Sequence, residues 1–529
     1  MGLKLMLEGV AGRYGDKPAI ISGERKLSFL DLDIASNKVA HALMRTGVSK
    51  GDRIALLLAN SPEFVITFFG IVKAGAIAVP LNAKYKFGEL SALLADAQPK
   101  VLITESPTLE SLSPFLAEFK SIEQVIGLTA NGEGKYVSYQ DIISGSSAQR
   151  ITPGPEPDDI ALIAYTSGPS LSPGGVMLSH RSLVVGTASM AEGFRQTEKD
   201  ISLLFSLPLD HMLGLAGVLL ASIYKGSTLV MVAGTGLSMS SFFATIEKEK
   251  GTIFWGVPYT FTLATEMAEK EGIKNDLSSL RLCGSAGAPL SLDVIRRFKQ
   301  YYGLNLIDGW GLTEAVCLAT CQAVDGSGTR GSVGKALPGW EMKIVDETGR
   351  ELPLNQSGEI IVRGPITKGY YNNPEATAEV IRDGWLYTGD IGKINEEGDL
   401  FITGRKKDLI IIKGQNVCPG DIESTLLSHP KVADAAAIGL PDRLRGEVVG
   451  VVISLKEGAV ATEGEIKQFC IERMVNYKVP KQVIFIDSLP RTGSGSIDKE
   501  SIRRRLAIPS IFPDMVASHG SPASLRPSS

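Results

Sequence analysis

Cysteine is scarce in this chain and follows no pattern: Cys283, Cys317, Cys321, Cys418 and Cys470 make five in 529 residues. An odd, scattered set with no C-x-x-C pair and no histidine at ligand spacing argues against a disulfide framework and fits the reduced thiols of a cytoplasmic protein. Cys317 and Cys321 would share a face only if that segment were helical, and two thiols without two further ligands do not make a metal site. An excess of one charge is also lacking. The net charge of -4 leaves no electrostatic case for nucleic acid or an anionic membrane. Long apolar runs are missing too, since "FVITFFGIVKAGAIAVPLN" is interrupted by Lys73 and glycines. The opening "MGLKLMLEGVAGRYGDKPAI" has neither the apolar core nor the cleavage site of a signal peptide, and Met6 spoils a myristoylation signal. A cytoplasmic location with no integral membrane segment is therefore expected. There are no internal repeats.

What is present reads as globular. With 44% hydrophobic and 21% charged residues, a chain of this length needs at least two cores. Up to about residue 260, short apolar runs alternate with amphipathic ones: "RIALLLA", "SPEFVITFFGIVKAG", "AIAVPLN", "ELSALLADAQ", "KVLITE". That alternation is the signature of a parallel α/β sheet. "SGEIIVRG" and "DLFITGR" read as half-buried strands with glycine turns. Past "GRKKD" the texture becomes α+β: "DIESTLLSHP" and "TEGEIKQFCIERM" as helices, "VADAAAIG", "EVVGVVISL" and "KQVIFID" as strands. A smaller second domain is expected from near residue 408. After Leu506 the chain is rich in Ser and Pro with no sustained period, the composition of a disordered tail.

Eight stretches carry chemistry: "YTSGPSLSPGGVMLSH" (165–180), "PLDHMLG" (208–214), "GSAGAPL" (284–290), "DGWGLTE" (308–314), "GWLYTGD" (384–390), "GRKKDLIIIKGQNVCPGDIE" (404–423), "NYKVP" (476–480) and "LPRTGSGSIDK" (489–499). In this order and spacing the chain resembles the adenylate-forming superfamily of acyl-CoA synthetases, luciferase and adenylation domains, from about residue 5 to 506. The pattern is nearest to fatty or aryl acyl-CoA ligases. The resemblance implies an α/β fold with a large N-terminal domain of parallel-rich sheets and helices (1–404), a hinge (405–407), a small α+β lid (408–506) and the tail (507–529). It also implies the reaction. A carboxylate attacks the α-phosphate of Mg-ATP to give an acyl-adenylate, and the CoA thiol then displaces AMP.

The resemblance assigns roles by position. Glu314 falls where the family binds Mg2+, which favours such hard oxygen donors, and Thr313 where it offers a hydroxyl to the α-phosphate. Trp310 replaces the tyrosine that stacks on adenine and keeps a π face. Gly284, Ser285 and Ala286 line the adenine, and Asp308, Gly309 and Gly311 belong to the nucleotide-binding set. Asp390 accepts the ribose hydroxyls and Arg405 adds a second contact. His211 sits at the acyl pocket, Lys407 at the hinge, and Lys413 and Gly414 along the thiol channel. Thr166, Ser167, Gly168 and Ser170 open the phosphate loop.

Two departures stand out. The family's phosphate loop reads roughly T-S-G-T-T-G-x-P-K-G, whereas here Pro169 lacks a donor, Leu171 replaces a glycine, and Gly174 removes the cation. In "LPRTGSGSIDK" the lysine that bridges carboxylate and α-phosphate is Ser496, and Lys499 matches only a downstream basic position. Losing such a charge commonly costs on the order of a hundredfold in rate. Three readings remain open: an acyl-CoA ligase with weakened adenylation, a relative that loads a carrier protein or forms an amide, and a degenerate protein that binds acyl, AMP or CoA without turnover. The apolar residues around His211, "WGVPYTF" and "VCLAT" favour a fatty or aromatic acid.

Overall fold

The apolar runs of the N-terminal half assemble into two large sheets in the computed structural model. It describes residues 1–506 except 86, 106–107, 109, 111, 129–135, 166–173, 233–237, 413–414, 418, 443–445, 475 and 493–495. The chain divides into two compact units, Met1–Ile402 and a second that begins at Thr403. The division falls inside the strand Leu400–Arg405, somewhat before the change of texture near 408.

The first large sheet has seven strands. In spatial order they are Tyr136–Ser138, Gln124–Gly127, Val101–Thr104, Arg53–Leu57, Ile77–Pro80, Ile160–Tyr165 and Gly175–Ser179. All neighbours are parallel except the last pair. A strand buried on both faces reads as a continuous apolar run, as "RIALLLA" and "KVLITE" do. The second large sheet has nine strands. Its parallel centre runs Leu306–Trp310, Leu282–Ser285, Ile253–Gly256, Ile201–Leu204, Thr228–Met231, Pro18–Ser22, with antiparallel strands at both edges. A smaller sheet built on Glu341–Val345, Gly358–Arg363 and Trp385–Ile394 completes the unit.

The helix Pro62–Lys73 starts on a Ser61 cap with proline in its first turn, which the sequence "SPEF" announces. Its last residue, Lys73, is fully buried. Lys73 is paired with Asp33, and its ammonium also donates to Asn37 at 2.8 Å. The charge that breaks the longest apolar run is thus internal and compensated. One expectation needed correction. Ile360, Ile361 and Val362 are all buried, so "SGEIIVRG" is covered on both faces and is not half-buried. Cys317 and Cys321 lie on no helix: a short turn ends at Ala315, and Thr320–Cys321 is a strand.

The second unit is α+β, as its texture implies. Val432–Asp442 and Gly446–Leu455 form a long antiparallel pair, Gln482–Phe485 adds to the second of these in parallel, and Ile412 pairs with its first residue, Gly446. The helices Pro419–Leu427 and Glu463–Ile471 send Ile422, Leu426, Ile466 and Cys470 into its core.

Candidate functional site

The segment that carries Thr313 and Glu314 is held by backbone packing. After the strand Leu306–Trp310, a Cβ on Gly311 would lie 1.9 Å from the Cys317 carbonyl oxygen, so only glycine lets the chain fold back there. A single 3-10 turn, Thr313–Ala315, follows. Val316 and Cys317 then take φ of 57° and 130°. A β-branched residue in the left-handed region costs of order 1–3 kcal/mol and persists only where its surroundings over-determine it. Here Val316 is fully buried against the helix face left open by Gly186. Thr313 and Glu314 sit partly exposed at the tip.

Glu314 has a partner that sequence reasoning missed. The Tyr370 hydroxyl donates to Glu314 Oε1 at 2.7 Å, and burial, then the adjacent carboxylate, pushes its pKa well up. Tyr370 belongs to a stretch stitched to the strand that leaves the phosphate loop. Met177 N–H donates to Gly369 O at 2.9 Å, Tyr371 N–H to Gly175 O at 2.7 Å, and Thr367 N–H to Glu314 O at 2.7 Å. The phosphate-loop frame, the Glu314 turn and Tyr370 therefore form one hydrogen-bonded assembly. The only available signal was "KGYYNNP", a tyrosine pair in a turn-rich run.

Trp310 and Asp390 are also joined. The indole Nε1–H donates to Asp390 Oδ2 at 2.8 Å, and the two residues are 8% and 9% exposed. Asp308, in the same strand as Trp310, is buried, which raises its pKa well above the usual carboxylate range; its Oδ1 accepts the Gly309 N–H at 3.0 Å. Gly284 and Ser285 lie in the neighbouring strand, with Ser285 in register with Asp308. A Cβ on Gly284 would lie 2.6 Å from the Trp255 ring, so packing in the sheet also requires a glycine there. Ser285 is fully buried with no hydrogen-bond partner at its hydroxyl, and Ala286 N–H donates to Gly256 O at 3.1 Å.

His211 is exposed, while the protein around its ring still lowers its pKa by desolvation. It precedes an eight-residue π-helix, Leu213–Leu220, a wide turn that recurs at functional sites. Its Nδ1 accepts the Leu213 N–H at 3.4 Å. Thr166, Ser167, Gly168 and Ser170 lie outside the described residues, as do Lys413 and Gly414. Their frame is described: Tyr165 and Gly175, which flank the phosphate loop, pair across an antiparallel ladder.

The remaining candidates belong to the second unit. Arg405 and Lys407 are exposed beside and within the turn Lys406–Asp408. The Ser496 carbonyl accepts the Thr492 N–H at 2.8 Å, next to a bridge between Arg491 and Ile497. Lys499 is held by Glu423 at 2.7 Å.

A family model described as AMP-binding enzyme matches residues 7–371, and one described as AMP-binding enzyme C-terminal domain matches 421–496. The chain belongs to the AMP-binding enzyme family. It is 36% identical over 518 residues to 4-coumarate–CoA ligase 3 of Oryza sativa subsp. japonica, covering 95% of this chain and 91% of that one. It is 33% identical to the long-chain-fatty-acid–CoA ligase of Bacillus subtilis, covering 95% and 94%. Its structure superposes on ATP-bound MatB from Rhodopseudomonas palustris with a TM-score of 0.86 at 31% identity, covering 96% and 99%. This AMP-binding enzyme is accordingly an AMP-forming acid–thiol ligase of the acyl-CoA synthetase type, using ATP and CoA with Mg2+. Glu314 fits the ion, because Mg2+ is commonly held by one or two carboxylates together with substrate phosphates and water. Among the described residues no helix is long and apolar enough to cross a membrane.

Proposed function

We propose that this ligase activates a fatty or aromatic carboxylic acid with slowed adenylation and passes the acyl group to CoA. The observation that carries this reading is the intact acidic side of the site: Glu314 held by Tyr370 and Asp390 held by Trp310. A carboxylate oxygen of the substrate bonds to the α-phosphorus as the bond to pyrophosphate breaks. The CoA sulfur then bonds to the acyl carbon as AMP leaves. Glu314 would hold Mg2+, which when bound would supply positive charge against the phosphates, and Thr313 donates its hydroxyl to the α-phosphate. Asp390 and Arg405 take the ribose. Gly284 to Ala286 and Asp308 to Gly311 wall the adenine, with the Trp310 face against the ring. Thr166, Ser167, Gly168 and Ser170 of the phosphate loop contribute backbone donors and hydroxyls. His211 borders the acyl group, Lys413 and Gly414 the thiol path, and the turn at Lys407 is the pivot of a lid formed by the second domain.

The acid class rests on the apolar residues near position 316 and on relatives named for 4-coumarate and long-chain fatty acids. CoA is the acceptor on the same ground, in place of a carrier-protein thiol or an amine. Buried, unpaired Cys283, Cys317, Cys321 and Cys470 support a cytoplasmic setting. Pyrophosphate–ATP exchange driven by 4-coumarate or palmitate tests the first half-reaction. A synthetic acyl-adenylate supplied with CoA tests the second. The proposal expects slow exchange and normal thioester formation; absence of both would sink it. The ion pair of Lys499 with Glu423 favours a second reading, because it ties up the nearest downstream ammonium. On that reading the protein binds AMP without turnover.

A further inference from the structure

Trp310 does more than offer a ring. It lies in the nine-stranded sheet, Asp390 lies in a strand of another sheet, and eighty positions separate them in the chain. A buried carboxylate is costly unless donors reach it, and an indole N–H is a donor with no acceptor role. Burial alone does not secure such a bond in this molecule: the Nε1 atoms of Trp255 and Trp340 are buried with no partner. The 2.8 Å bond from Trp310 is thus a specific placement.

We infer that Trp310 is a positioning residue that holds Asp390 in the orientation that receives the ribose hydroxyls, so that one side chain presents a π face to the base and aims the carboxylate at the sugar. This rests on the nucleotide site proposed above. A carboxylate has about four lone-pair positions, so one N–H bond at Oδ2 is compatible with further donors from a ribose. The geometry also explains why tryptophan stands here. Phenylalanine would keep the face and lose the donor, and tyrosine would carry its donor at the para tip instead of the ring edge. A hydrogen bond to a charged group typically changes affinity by roughly tenfold or more.

The test is calorimetric binding of AMP and of 2′,3′-dideoxy-AMP to the full chain, as wild type, Trp310→Phe and Trp310→Tyr. Wild type is expected to prefer AMP. In Trp310→Phe, AMP binding should weaken about tenfold while dideoxy-AMP binding changes little, so the preference collapses. Asp390→Asn added to Trp310→Phe should cost little more, since both act on one contact. Trp310→Tyr should behave as Trp310→Phe, and it carries the test if phenylalanine disturbs folding. A preference for AMP equal to that of wild type in a folded variant overturns the inference and leaves the nucleotide site standing. A wild type that does not distinguish the two nucleotides overturns the proposed nucleotide site as well.

Discussion

Glu314 and Asp390 each meet a donor from a distant stretch of chain, at 2.7 Å from Tyr370 and 2.8 Å from Trp310. Positions 174 and 496 carry glycine and serine, where the proposed reading places two missing cations. The acidic side chains are interlocked with sheet edges and the strained turn at Val316, so drift there disturbs packing as well as chemistry. The cation positions lie on connecting loops, where a side chain can be lost without cost to the core. On the proposed reading, positive charge is missing where the fold does not depend on it, and the acidic side chains of the nucleotide site are kept.

The sharpest way to break this contrast is to attack the intact side. Glu314→Ala should lower pyrophosphate exchange by about a hundred- to a thousandfold, as expected for a preorganised charge at a phosphoryl-transfer site. Exchange within threefold of wild type would mean that Glu314 is not the metal carboxylate. Repairing the depleted side comes next. Ser496→Lys should raise adenylation by on the order of a hundredfold, with less effect on the acyl-adenylate plus CoA step. The backbone bond from Thr492 N–H to the Ser496 carbonyl does not involve the side chain that is replaced. A variant that binds substrates and shows no faster pyrophosphate release would contradict the reading.

The sequence disclosed the architecture well because its signals are local. Continuous β-branched runs such as "RIALLLA" mark doubly buried parallel strands, and "SPEF" marks a capped helix start. The motifs assign Glu314 and Asp390 their roles only through the resemblance. What holds those two residues was not visible, because Tyr370 and Trp310 reach them across 56 and 80 positions and no period or spacing encodes such a meeting. Gly284 shows the same limit: its neighbour Trp255 comes from an adjacent strand, so the packing that also requires a glycine there could not be read from the motif.

Tyr370→Phe tests whether interlocking matters for function. Removing one hydroxyl from a charged acceptor typically costs 1.5–3 kcal/mol, so exchange should fall by roughly tenfold or more. The Mg2+ concentration for half-maximal rate should rise, because the released carboxylate samples other rotamers. An unchanged Mg2+ dependence with intact folding would reduce Tyr370 to a packing residue.

The smallest effect is expected at the other lost cation. A Cβ on Gly174 would lie 3.5 Å from Tyr370 Cδ1, an ordinary contact, so Gly174→Lys is sterically allowed. Its ammonium would serve the outer phosphates, which leave with pyrophosphate, and charge stabilised equally before and during reaction improves binding more than turnover. The KM for ATP should therefore fall a few-fold, with kcat nearly constant. Because the new side chain starts beside the Tyr370 ring that holds Glu314, Gly174→Lys and Tyr370→Phe should be non-additive, whereas Gly174→Lys and Ser496→Lys should combine independently. A larger gain in kcat from Gly174→Lys than from Ser496→Lys would reverse the ranking of the two losses and make the phosphate loop the seat of the slowed adenylation.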